Sequence, residues 1–319
     1  MKRTELLSTF YNTELLPVLK RLDSERRGLV YQLIAIFTGI VLLFIGVGYY
    51  VWTKIEMEMM AFFLLPVFIF SSIGFYMLLE GIVKNTNYYN DYKREVIHRL
   101  ISLINPSLHY DKKHHISHHE FNNSGFFPHE HVDIYGDDHV SGTVNDVPIE
   151  FSELTARYKR SSDRKAHNNE FQFRGIFFIA EKEKPYPADF IIEPKKAENG
   201  SAIIMPLSHE KFNEYFQVRL PNNDYRRNAE DMLSDAFLNK LVLFRRHLHN
   251  EIHISFKYNK IYVGILHDKD LLEPSLLTSV ARFDHIQQHF NDLYVPINII
   301  EHFAANMVAE AIEDDMVEA

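Results

Sequence analysis

Two apolar runs, residues 29–52 and 61–83, most constrain what this chain can become. Each exceeds the roughly 20 residues that carry an α-helix across the hydrocarbon core of a bilayer. The first contains no Asp, Glu, Lys or Arg, and the second only Glu80, near its end. A charge at mid-bilayer is costly, so uncharged runs of this length predict membrane spans. The eight residues between the runs, with Lys54, Glu56 and Glu58, are too few for a domain and read as a surface turn. The expectation is a two-helix transmembrane hairpin over residues 29–83. Gly39, Gly46, Gly48 and Gly74 offer places for close helix contact, and Tyr49, Tyr50 and Trp52 are suited to the headgroup region.

Charge on the flanks sets the expected orientation. Lys20, Arg21, Arg26, Arg27, Lys84, Lys93 and Arg94 lie outside the runs, against Lys54 alone between them. The positive-inside bias then places both termini and the large domain in the cytoplasm, as a two-pass membrane protein. The N-terminus reads as a retained anchor, because a charged, helix-periodic segment precedes the first run and no small-residue cleavage site is present.

The rest of the chain divides by pattern. Residues 1–28 read as an amphipathic juxtamembrane helix, with Leu7, Leu15, Leu19 and Leu22 at helical spacing and Pro17 as a candidate break. Residues 84–106 read as a helical stalk ending at Asn105-Pro106. Residues 107–131 form a histidine-rich linker. Residues 132–220 alternate as a sheet-rich cytoplasmic domain, with Asn145-Asp146 a tight turn and residues 170–180 the strongest strand. Residues 221–319 form a second α+β portion, with a hairpin around Tyr258-Asn259 and C-terminal helices over 274–294 and 295–312. The expected fold class is α+β: the membrane hairpin, a cytoplasmic domain containing an antiparallel sheet, and C-terminal helices.

Composition removes several functions. The chain has no cysteine, which excludes disulfides, thiolate catalysis and cysteine-ligated clusters. A formal charge of -9 disfavours a nucleic-acid binder, which needs concentrated positive surface. Neither GxGxxG nor GxxxxGK[ST] occurs in a strand-to-helix context, so no nucleotide site is indicated. No cofactor is implied.

Candidate ligand-binding residues are Asp137, Asp138, Glu153 and Arg174. The three carboxylates could meet across antiparallel strands to bind a cation or to act as an acid/base pair. Arg174 is placed to pair with Glu153 or another carboxylate, or to meet an anionic ligand. Turn capping by the acids is the structural alternative. Candidate metal ligands are His114 with His118 and His115 with His119, which would share a helix face. A solvated loop is the alternative there. Gly136, Gly142 and Gly175 read as backbone requirements.

The run Tyr135-Gly136-Asp137-Asp138-His139-Val140-Ser141-Gly142, with Phe151-Ser152-Glu153-Leu154 and Phe173-Arg174-Gly175-Ile176-Phe177-Phe178, resembles a bacterial family of membrane proteins, domain of unknown function 3137. Residues 212–218, 224–229 and 252–265 resemble its second characteristic region. The resemblance implies an inner-membrane protein and transfers no catalytic residue. Taken together, these features predict a membrane-anchored interaction or scaffold protein. Its expected partners are membrane lipids and a second copy of itself or another inner-membrane protein, and not nucleic acid. A membrane-bound enzyme or ligand sensor would instead show a concave pocket holding Arg174 and at least two acidic residues. A channel subunit would need symmetric association and a polar path between spans.

Overall fold

The structure is a computed structural model that describes residues 3–53, 69, 72, 87–127, 132–158, 171–195, 202–295 and 297–298. The chain forms two compact units: Met1–Arg99 with Glu273–Gln288, and Leu100–Leu272 with His289–Ala319.

The first unit is helical. Helix α1 (Arg3–Phe10) runs through a π-turn (Tyr11–Leu15) into α2 (Leu16–Trp52). Pro17 does not break this rod. The wide turn just before it bonds the Leu16 N–H to the Tyr11 carbonyl, five residues back, and the chain passes the proline without stopping. Leu7, Tyr11, Leu15, Leu19 and Leu22 recur every third or fourth residue and are buried. Helix α3 (Asn87–Tyr92), a second π-turn (Lys93–Ile97) and the start of α4 (His98–Ile104) bury Tyr88, Tyr92, Val96 and Ile97. Arg21 pairs with Glu95 at 2.7 Å, and Lys93, itself buried, with Glu273 at 2.9 Å. Donation from the Tyr88 hydroxyl to the Ser275 carbonyl at 2.9 Å and from Arg26 to the Leu276 carbonyl at 2.8 Å fastens the Glu273–Gln288 segment to these helices.

The expected hairpin is corrected here. Among the described residues one helix, Thr4–Tyr50, is long and apolar enough to cross a membrane, with a mean hydropathy of 2.4 over its 18-residue apolar window. The first apolar run is therefore the distal end of a continuous N-terminal helix. Gly28, the residue just before it, costs only about 1 kcal/mol in a helix interior and does not end one. The expected partner, residues 61–83, lies outside the described residues apart from Ile69 and Ser72. A single spanning candidate does not make a two-helix hairpin, and the two-pass location with both termini in the cytoplasm is corrected with it. Hydropathy reports the length and polarity of a run, and pairing two runs into a hairpin was a further step. The basic connection Lys159–Lys165, His129, His131 and the tail beyond residue 298 also lie outside the described residues.

Among the described residues the second unit is built on a nine-stranded sheet of order β1-β2-β3-β4-β9-β8-β5-β7-β6 in which every neighbouring pair is antiparallel. Its strands are β1 (His109–Asp111), β2 (Val132–Val144), β3 (Val147–Tyr158), β4 (Phe171–Glu181), β5 (Phe190–Pro194), β6 (Ile203–Met205), β7 (Phe216–Leu220), β8 (Ile252–Lys257) and β9 (Lys260–Leu266). Both expected tight turns form. Asn145 and Asp146 have φ of 49° and 64°, the backbone that a two-residue type I′ hairpin requires. Tyr258, at φ 54°, turns β8 into β9.

One core cluster lies under the linker. Phe173, Phe177 and Ile179 alternate along β4 and meet Leu154 and Ala156 of β3 and Tyr262 of β9. Ile116, Phe121 and Phe126 close over them, carried by residues 109–127 and by α5 (His118–Asn123). The short helix α6 (Glu210–Asn213), then α7 (Arg226–Met232) and α8 (Asp235–Leu248) complete the described helices up to β8. Ser234 caps α8, which buries Phe237, Leu238, Leu241 and Val242. A last described helix covers residues 283–295.

Candidate functional site

The β2–β3 ladder brings the three singled-out carboxylates together through a bulge. Asp137 sits opposite Glu153, and Val140 opposite Phe151. Asp138 and His139 therefore share one position against Ser152, the two-against-one register of a β-bulge. In a regular strand Asp137 and Asp138 would point to opposite faces. Asp138 instead takes φ 56°, and one ligand atom from each of Asp137, Asp138 and Glu153 lies within 4.8 Å of the others. Asp fits this left-handed backbone better than most residues do. Gly136 just ahead permits the approach of the two strands, since a Cβ there would lie 2.4 Å from the Glu153 carbonyl oxygen.

The cluster is buried and held by donors. Asp138 and Glu153 are 2% and 9% exposed, and Asp137 is half-buried. The Tyr110 hydroxyl, from β1, donates a short hydrogen bond to Asp138 Oδ1. The Leu271 backbone N–H donates to Glu153 Oε2 at 3.1 Å. Burial pushes the Glu153 carboxyl up to about 8, and the charges of Asp138, Asp270 and Asp137 push the same way, against the opposing Leu271 bond. Close buried carboxylates do not all ionise at neutral pH, so one keeps a proton. A neutral Glu153 beside Asp137 and the hydrogen-bonded Asp138 is the state that these contacts favour.

Arg174 does not pair with Glu153. It lies beside Thr155 on β4, on the same face as Glu153, and its guanidinium is turned to the loop after β9. There it forms an ion pair with Asp270 and donates to the Asp268 carbonyl at 3.3 Å. The His267 N–H in turn donates to the Arg174 carbonyl at 2.8 Å. Gly175 makes this approach possible. At φ 149°, a Cβ there would lie 2.0 Å from the Ile265 carbonyl oxygen.

A cleft of about 590 Å³ opens beside Arg174. Phe173 and Leu266 form its apolar part, and Arg174, Asn250, Glu251, His267 and Asp268 its polar part. Asn250 Nδ2 lies 2.8 Å from His267 Nδ1, and burial holds the His267 imidazole below its usual range.

The metal-candidate histidines are not brought together. The helix starts at Ser117, so His114 and His115 precede it and share no helix face with His118 and His119. His114 contacts Asp111 at 2.7 Å, His115 the Ile116 carbonyl at 2.8 Å, His118 Asn122 and His119 Asn123 at 3.1 Å each. Among the described residues, no convergent group of three ligands includes a histidine. The sequence reading missed Tyr110, the Leu271 amide, and Glu251, His267, Asp268 and Asp270. Only the acidic loop 268–270 carried a signal, as a turn between a strand and two leucines.

Residues 171–305 match the family described as protein of unknown function DUF3137. The matched segment carries Arg174, the cleft and the loop to Leu272, as well as residues 173–178, 212–218, 224–229 and 252–265 of the sequence resemblance. Asp137, Asp138 and Glu153 lie ahead of it, so the match does not extend to the runs 135–142 and 151–154 of the sequence resemblance. A solved structure, that of the mycobacterial trehalose monomycolate transport factor A, TtfA, aligns at 9% identity and a TM-score of 0.33. The alignment covers 63% of this chain and 95% of that one. No curated protein matches the chain.

Proposed function

We propose that this chain is a membrane-anchored interaction protein whose α2 helix holds the sheet-bearing unit at a bilayer. One observation carries the reading: none of the apolar window of the Thr4–Tyr50 helix is buried. Leu42, Leu43 and Ile45 are 62%, 66% and 62% exposed. Leaving such a side chain in water forgoes about 1.5–3 kcal/mol each, so the stretch as a whole has a strong drive toward lipid. The partners required by a scaffold are a second copy or another membrane protein, with lipids around α2.

The test is membrane fractionation. The full chain should pellet with membranes and resist alkaline carbonate, and Leu42→Lys/Leu43→Lys/Ile45→Lys should shift it to the supernatant. A wild-type chain that stays in solution without detergent overturns the anchor. For the scaffold role, the chain is purified in mild detergent with its native neighbours and its intact mass is measured. A reproducible monomer without partners overturns that role.

A second reading, a ligand sensor, is favoured by the cleft. Arg174, Glu251 and Asp268 all line it, the combination of one cation and at least two acids that a binding site on the central sheet calls for.

A further inference from the structure

We propose that Glu153 is a proton-dependent latch on the loop Asp268–Leu272, and thereby on one wall of the Arg174 cleft. This inference is independent of the anchor and concerns the sheet-bearing unit alone.

The loop is held at two places. On one side Arg174 grips it through Asp270 and the Asp268 carbonyl. On the other, Glu153 Oε2 accepts the Leu271 N–H at 3.1 Å, and Leu271 and Leu272 are buried beyond that bond. Asp268, at the start of the loop, lines the cleft. Glu273, the residue after it, begins the segment that belongs to the first unit. Whatever loosens Leu271 therefore loosens the loop that carries the cleft wall.

Among the described residues, the charges that bear on Glu153 have defined places. Asp137 and Asp138 approach from β2, and Asp138 accepts a hydrogen bond from the Tyr110 hydroxyl of β1. Asp270 approaches from the loop and adds negative charge. From β4, the residue opposite Glu153 is the apolar Ile176, and the Arg174 cation is committed to Asp270. From the same loop, His267 is held toward its neutral form by burial. Among the described residues no cation forms an ion pair with Glu153. With its proton, Glu153 is neutral and still accepts the Leu271 N–H. Without it, three close carboxylates and Asp270 repel one another. β2 and β3 are fixed by their ladder from Val132 to Tyr158, and the loop has no ladder. The loop is the part that yields, and moving it out brings water to Glu153.

Amide hydrogen exchange of the full chain in mild detergent, read by mass spectrometry and corrected for the intrinsic pH dependence, tests this. A peptide covering Asp268–Leu272 is compared with one inside Phe171–Glu181. Opening linked to loss of one proton should lower the loop's protection about tenfold per pH unit from pH 5 upward. The fall should level off near pH 8, while the β4 peptide stays protected. Glu153→Gln keeps the acceptor without the titration, so its loop should show a flat profile. Asp138→Asn removes a like charge, and its plateau should begin at lower pH. A wild-type loop with the same profile as Glu153→Gln overturns the latch. Should Glu153→Gln lose its β4 protection, the Asp138→Asn comparison decides, and an unmoved plateau overturns the latch equally.

Discussion

Replacing Glu153 by Gln should make the protein more stable, and increasingly so as pH rises. In the fold the Glu153 carboxyl titrates at about 8, against 4.5 for the unperturbed group. The folded state thus holds the proton more tightly than the unfolded state does. Its contribution to stability is fully present below 4.5 and is lost as pH rises to about 8, after which it stays constant. Each pH unit in that window is worth about 1.4 kcal/mol, which sums to about 5 kcal/mol across the window. Glu153 is 9% exposed, so solvent screens little of this. Loop opening relieves part of the charge in the folded state, which lowers the expected difference to about 3–5 kcal/mol at pH 8. Gln has nearly the same shape, accepts the Leu271 N–H and carries no charge. The assay is urea unfolding in mild detergent, followed by circular dichroism at half-unit steps from pH 4.5 to 9. The two proteins should be nearly equal at pH 4.5 and diverge steadily to about pH 8. Parallel stability curves would refute the reasoning, because Glu153 would then ionise in the fold as it does in the unfolded chain.

Two further substitutions have defined outcomes. Gly175→Ala places a methyl group 2.0 Å from the Ile265 carbonyl at φ 149°. It should cost about 3 kcal/mol in the same unfolding assay and deprotect the His267 amide. In the first unit, Lys93→Met leaves Glu273 without its cation and should cost about 3 kcal/mol. The double variant Lys93→Met/Glu273→Leu should recover most of that loss by thermal unfolding.

The sequence was most legible where one residue type determines the backbone. The Asn145-Asp146 and Tyr258-Asn259 hairpins followed from turn chemistry, and β4 from its phenylalanines. The N-terminal helix was legible as apolar length, but its continuity through Pro17 depends on a π-turn that has no sequence mark. The linker hid a signal in plain view. Ser117 followed by Glu120 has the spacing of a capping box, and Ser117 Oγ does accept the Glu120 N–H at 3.2 Å, while the Glu120 carboxylate accepts from Lys260 and Tyr262. Among the linker's many histidines stand Ile116, Phe121 and Phe126, which close the core. The meeting of Asp137, Asp138 and Glu153 across antiparallel strands was legible as an expectation, but the means by which Asp138 joins was not. Strand alternation separates the two aspartates, and the bulge that reunites them shows only in the ladder. The Leu271 amide lies 118 residues from Glu153, and Asp270 lies 96 from Arg174. Backbone donors and loop carboxylates at such separations leave no local pattern to read.

The rims of the sheet constrain how this protein can meet another. The two outermost strands, β1 and β6, are three residues each, His109–Asp111 and Ile203–Met205. β1 pairs with β2 only at His139–Ser141, and next to that short pairing stand the bulge and two carboxylates. A strand from a second molecule would find few free backbone groups in line at β1 or β6, and bent, acidic backbone beside the β1 pairing. At β1 and β6 a second molecule that extended the sheet would gain little, and contact made through side chains on the faces and loops would gain more.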